Sequence, residues 1–227
     1  MTDVLDRLAG PAGELLARVD DILVARGLPA GHPIVDLLRR LGALPADAAH
    51  AISAQRSAPL RAAGSELRRH ADGYGAVDAG LGGAMDADLG GAVDADLGGA
   101  LPANPGWQGT AAERFAAQRS AVAAHLAGSA DRIRDTAAYL DDVADWIDRS
   151  RRDLAAVLAD ALGSIEAVRL READGDAAAT IGARVLGAVH DAHEAGRDLA
   201  RRWAGRLDEI PLRSPEAATA ATDQFRT

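Results

Sequence analysis

The chain of 227 residues contains no cysteine. Disulfides, thiol catalysis and thiolate metal sites are therefore excluded, while the compartment stays open because secreted proteins can do without disulfides. Lysine is absent too: all 25 basic residues are arginine, which reflects a GC-rich coding background more than a function. Aromatic residues make up only 3% of the chain, so there is little bulk for a thick globular core. Alternating runs of β-branched residues are missing, which argues against strands. No stretch approaches the roughly 18 apolar residues that a membrane-crossing helix needs. The opening residues, Met1 to Asp6, are acidic and lack the basic start and apolar core of a cleavable signal peptide. A net charge of −9 excludes a general nucleic-acid binder, since phosphate recognition needs a basic surface.

What is present is alanine and helical spacing. Hydrophobic residues reach 48%, most of them small. Such a composition packs helices closely and predicts an all-α fold: an elongated antiparallel helical bundle with a long central heptad helix and a glycine-rich interhelical linker. The bundle is expected over 1–210, the linker over 74–106, and a disordered tail over 211–227.

Residues 3–26 read as the first helix, with Leu5, Leu8, Leu15, Leu16, Val19, Ile22 and Leu23 at helical spacing. Gly10-Pro11 should kink it or split off a short first piece. A short amphipathic helix is predicted from Ile34 to Leu41. A longer one should run from near Ala46 to about Asp72, with its stripe reaching Tyr74. Pro59 should bend or restart it. An eight-residue repeat follows, in copies beginning at Val77, Met85 and Val93. Each copy carries a Gly-Gly pair, which opposes a helix and reads as a linker. Calcium binding by Asp86, Asp88, Asp94 and Asp96 is the sharper reading. It fails on detail, because the β-roll repeat has nine residues and a third glycine and an EF-hand needs a closing glutamate.

From Thr110 the pattern changes. Leu126, Ile133, Leu140, Ile147 and Leu154 recur every seven residues, and Val122, Ser129, Thr136, Val143, Ser150 and Val157 form a second set on the same repeat. That is a heptad seam. No proline interrupts residues 110–172, and Gly128 and Gly163 are the weak points. Asp174-Gly175 ends this helix and Asp176 is placed to cap the next. The last helix carries Ile181, Val185, Val189, Ala192, Leu199, Trp203 and Leu207 on its stripe.

No catalytic constellation emerges. His190 and His193 could offer two metal ligands, but nothing completes the set, so a solvated helix face is the reading and no metal is expected. Asp141, Asp142, Asp145 and Asp148, beside Arg149, Arg151 and Arg152, read as the outer face of a helix with i,i+4 ion pairs. Nucleophile elbows, Walker loops and His-Glu-x-x-His are absent. An enzyme would need a deep polar pocket, which a slender alanine-rich bundle offers poorly. A non-enzymatic protein without a cofactor is expected.

The most informative stretch runs from Pro105 to Phe115. Pro105, Gly106 and Gly109 mark a tight turn. Thr110 and Glu113 read as a capping box for the long helix. Trp107 stands at that turn as an anchor. Trp107-x-Gly109-x-Ala111-Ala112-x-x-Phe115, at the start of a heptad helix, resembles the motif of the WXG100 superfamily. Tyr74-x-x-x-Asp78 is similar to the export motif of type VII (ESX) secretion substrates, and the two together resemble fused PE–PPE-like, EspB-like substrates of actinobacteria. The resemblance covers roughly residues 46–170.

It implies a helical hairpin exported folded, without a cleavable signal peptide, through a composite signal formed by Trp107, Gly109, Phe115, Tyr74 and Asp78 at one bundle end. It also implies a secretion ATPase or chaperone as reader, and a homo-oligomer or a small WXG-type protein as partner. The competing expectation is a cytoplasmic structural or adaptor coiled-coil protein that assembles through the 126–157 heptads. In that case Trp107 is only a hairpin staple.

Overall fold

A computed structural model describes residues 3–28, 31–86 and 108–208, and of 75–86 and 207–208 the backbone alone. The fold is all-α, with no strand among the described residues. In chain order the helices are α1 (Val4–Arg26), α2 (Ile34–Leu41), α3 (Pro45–Ser53), α4 (Ala58–Asp86), α5 (Thr110–Leu162), α6 (Ile165–Arg169) and α7 (Gly175–Asp208), with a 3-10 turn at Leu170–Glu172. The chain divides into two compact units: residues 1–54 with 149–227, and residues 55–148. The long α5 contributes to both.

The first unit is built around α7, which packs against α1, α2, α3 and α6. Every described residue of its expected stripe, from Ile181 to Trp203, is buried. Leu16, Val19 and Leu23 of α1, Ile34 of α2, Ile52 of α3 and Leu154 and Leu158 of α5 join it in one core. The core is closed by small residues. A Cβ placed on Gly182 of α7 would lie 2.7 Å from Ile34 Cδ1, 3.2 Å from Pro45 Cγ and 3.5 Å from Leu23 Cδ1. Three helices therefore converge on the one place where α7 has no side chain.

Prolines and glycines set the boundaries, with instructive exceptions. Pro45 opens α3 and Pro59 is the second residue of α4, so the expected second helix is two helices, with the restart at Pro59. Proline is tolerated there because the first amides of a helix have no partner in any case. Pro11, by contrast, lies inside α1, which continues unsplit. Gly42 ends α2 at φ +64, and its amide donates to the Leu38 carbonyl at 2.8 Å. The long helix stops at Leu162 beside Gly163, short of the expected 172, and Ser164 caps α6. Asp174, not Asp176, starts α7: its Oδ1 accepts from the amides of Asp176 at 2.9 Å and Ala177 at 3.1 Å.

The largest difference concerns the glycine repeats. Helix was expected to end near Asp72, but α4 continues to Asp86, through Gly73, Gly75, Gly80, Gly82 and Gly83. Glycine costs a helix about 1 kcal/mol relative to alanine without forbidding it, and the intervening alanines and leucine favour it. The rest of the expected linker (87–106) and the expected tail lie outside the described residues.

Two glycines of α7 give a matched test of the core. Gly182→Val should lower unfolding stability by about 2–3 kcal/mol, because its methyls must displace Ile34 and Pro45. Gly187→Ala, with no atom within 4 Å of the added carbon, should raise it by up to about 1 kcal/mol. Urea unfolding of both variants checks the pair, and equal effects would refute the close-approach account.

Candidate functional site

In the second unit, α4 and the first part of α5 form an antiparallel pair. Arg61 donates from Nη2 to Asp145 Oδ1 at 2.8 Å and to Asp148 Oδ2 at 2.6 Å. One helix turn pair later, Arg68 Nη1 donates to Asp141 Oδ2 at 2.5 Å. Asp141, Asp145 and Asp148 of the acidic row of α5 therefore pair across to α4. The hydrogen bonds to Asp148 and Asp145 hold the exposed Arg61 guanidinium above its ordinary pKa. The backbones come close here as well: a Cβ on Gly64 would meet the Ala137 carbonyl oxygen at 3.3 Å.

This register decides where the motif residues stand. As the number rises from 61 to 68 on α4, the partner number falls from 145–148 to 141 on α5. Extending it by six residues puts Tyr74 level with the Arg132–Asp135 stretch. That is on the order of 35 Å along α5 from Thr110, at 1.5 Å per residue. The expected meeting of the tyrosine with the start of α5 is not what α4 provides, because α4 does not end at Tyr74. Tyr74 is 40% exposed. Asp78 follows it by four residues in unbroken helix, so both share one face.

Trp107 lies outside the described residues. Gly109 is described and takes φ +98, where an added Cβ would meet open space. Its requirement for glycine is conformational and not steric. Its carbonyl accepts from the Glu113 amide at 3.1 Å, which makes Gly109 the cap and Thr110 the first helical residue. With glycine as the cap and Glu113 at the fourth helical position, the expected Thr110–Glu113 capping box is not formed. Phe115 is half-buried on α5.

The seam of α5 was half legible. Leu126, Ile133 and Leu140 are half-buried and Ile147 and Leu154 buried, as their spacing implies. Of the second row, Ser150 is buried, Ser129, Val143 and Val157 are half-buried, and Val122 and Thr136 are exposed. Beside it runs a fully covered row the spacing had not marked, Ala130, Ala137 and Ala144. Ser129 and Thr136 turn their hydroxyls back to the carbonyls of His125 and Arg132, at 2.8 and 2.9 Å. Alanine carries too weak a hydrophobic signal to mark a seam by itself.

The next position of the alanine row is Arg151, which sequence reasoning had placed on the outer face. Its side chain is 4% exposed. It donates from Nε to Asp3 Oδ2 and from Nη2 to Asp6 Oδ1, both at 2.7 Å, and from Nη1 to the Ser53 carbonyl. Asp3 also caps α1, its Oδ1 accepting from the Asp6 amide at 2.8 Å. The hydrogen bonds to Asp3 and then to Asp6 raise the Arg151 pKa, outweighing its desolvation. One buried guanidinium thus fastens α5, α3 and the first turn of α1. An arginine at a heptad position facing acidic residues at a helix start was the signal available.

Among the described residues no group of three or more metal-ligating side chains occurs, and no helix is long and apolar enough to cross a membrane. His193 is exposed and His190 half-buried. An open hollow of about 310 Å³ is lined by Arg18, Asp21, Ile22, Ala25, Arg26 and Ala173. Its Arg18 is committed to the Leu170 and Arg171 carbonyls, at 2.9 and 3.4 Å. The fold and site define a helical bundle whose distinctive surface is the α4–α5 pair. No protein-family model, no curated protein and no solved structure matches the chain.

The two arginine networks should respond differently to substitution. Arg151→Ala should lower stability by about 3 kcal/mol, because it strips a buried charge network of its centre. Arg61→Ala should have a smaller effect that vanishes in high salt, since its partners are solvent-exposed. Denaturant unfolding at low and high ionic strength separates them; equal, salt-sensitive losses would contradict the assignment.

Proposed function

We propose that this chain is a non-enzymatic substrate of a type VII (ESX) secretion system, of the WXG100 and EspB-like kind, exported folded. The observation that carries the reading is Gly109. The motif glycine takes a φ of +98 immediately before the 53-residue α5, which runs antiparallel to α4. A Trp-x-Gly turn feeding the second helix of a hairpin is the arrangement that the resemblance implies. Helical continuity through Tyr74 and Asp78 adds support, because it presents the two side-chain positions as i,i+4 neighbours for a docking protein. The reader is the secretion ATPase or a chaperone of the system. Tyr74 stands along the hairpin and not at its tip, so the signal consists of two separated contacts: Tyr74 with Asp78 on α4, and Trp107 with Gly109 and Phe115 at the start of α5.

A self-assembling coiled-coil adaptor draws less support. Ile147 and Leu154, which would have to mediate assembly, are already buried within one chain.

The test is export from the native host. Trp107→Ala and Asp78→Ala should each reduce the protein in culture fluid at least tenfold, while the cell-associated protein keeps its helical circular dichroism and unfolding midpoint. Undiminished export of both variants would sink the proposal. Gly109→Ala should act through the backbone and destabilise the start of α5 by about 1 kcal/mol, detectable as faster amide exchange in residues 110–115.

A further inference from the structure

One half-buried carboxyl group takes no part in the arginine networks. Asp20 lies on α1 between Val19 and Asp21 and is half-buried. Its Oδ2 accepts from the amide of Ala46 at 3.2 Å. Helix α3 begins at Pro45, which has no amide, and the residue before it, Leu44, has no capping side chain. The amide of Ala46 is therefore the first orphan donor of α3, and a neighbouring helix supplies its acceptor. The other oxygen, Asp20 Oδ1, is buried with no hydrogen-bond partner. Such an oxygen is expensive to keep ionised, because burial strips its water and nothing replaces it. The charges that bear on Asp20 are Asp47 on α3 and Asp21 on α1, both negative. Among the described residues α7, which packs on both helices, contributes none.

We propose that Asp20 is an acid-strengthened latch between α1 and α3. Ionised, it caps α3 while carrying a buried, unpartnered oxygen beside two like charges. Protonated, it keeps an oxygen for the Ala46 amide and sheds both the desolvation penalty and the repulsion from Asp21 and Asp47. The joint between the helices therefore tightens as the solution is acidified. Burial is the main cause of an upward shift, opposed by the Ala46 hydrogen bond and helped by Asp47 and then Asp21, and the carboxyl is pushed up to about 6. An unfolded aspartate titrates near 3.9. Because the folded value lies above the unfolded one, the contribution is fully present below about pH 4 and is lost as pH rises through about 6. The latch does not depend on the export reading.

Thermal unfolding of the full chain at pH 7.5 and 5.5, with Asp20→Asn alongside, tests it. The unmodified chain should gain on the order of 2–4 °C on acidification. The asparagine variant, neutral at both pH values and able to accept from Ala46, should start higher at pH 7.5 and gain little. In parallel, the Asp20 carboxyl and the Ala46 amide should titrate together near pH 6 by NMR. A carboxyl midpoint near 4, or no gain by the unmodified chain between pH 7.5 and 5.5, overturns the proposal. If asparagine lowers stability at both pH values, the carboxyl midpoint alone decides.

Discussion

A chain with few bulky side chains can exclude water from its interior only by bringing helix backbones together. Gly182 is where the first unit depends on this constraint. α7 has no side chain there, and Leu23, Ile34 and Pro45 fill the space from three other helices. The core around that point sets alanines such as Ala177, Ala178 and Ala179 between a larger number of leucines, isoleucines and valines. Each alanine buries little area, so the aliphatic side chains supply most of the burial while the alanines let the helices approach closely enough for those side chains to touch. The second unit uses the same device on a smaller scale, with Gly64 set against the Ala137 carbonyl.

Close packing of small residues leaves little to specify which helix meets which, and the arginines supply that information. Arg61 and Arg68 repeat at a spacing of seven on α4, and Asp141 and Asp148 repeat at seven on α5. Only the antiparallel register satisfies both pairs. These pairs are exposed and add modestly to stability, but they discriminate between registers that alanine alone would tolerate. Arg151 does the same inside the first unit at higher stakes. It occupies a seam position, where a misdocked N-terminal turn would leave a guanidinium buried without Asp3 and Asp6. A buried charge of this kind is a weak source of net stability and a strong penalty on alternatives.

The same division explains what the sequence disclosed. Leucine and isoleucine periodicity located the helices, and the α7 stripe proved buried throughout its described length. Pro59 and Gly163 marked real breaks because their effect is local and covalent. The alanine row at 130, 137 and 144 gave no signal of its own, since alanine is equally at home on a surface and in a core. Arg151 was assigned to solvent for the corresponding reason: an arginine looks exposed until its partners, more than 140 residues away in sequence, are known. The glycine repeats were read as a break because glycine lowers helix propensity. That is a bias of about 1 kcal/mol per residue, and the alanines between the glycines can offset it through Asp86.

That last point changes what the Tyr74 motif presents. Read as the end of a helix, Tyr74-x-x-x-Asp78 would fray into a linker, and a docking protein would have to order it at an entropic cost of about 1–2 kcal/mol per residue. Read as helix interior, its positions are fixed before any encounter, so that cost is already met by folding. The segment from Arg61 to Arg68, tied to α5 by its ion pairs, helps hold this part of α4 in place together with the close approach at Gly64 and the buried Ala71. Export recognition, under the proposed function, would then depend on residues that never touch the reader. Weakening Arg61 or Arg68 loosens the helix that carries the motif while leaving its letters unchanged.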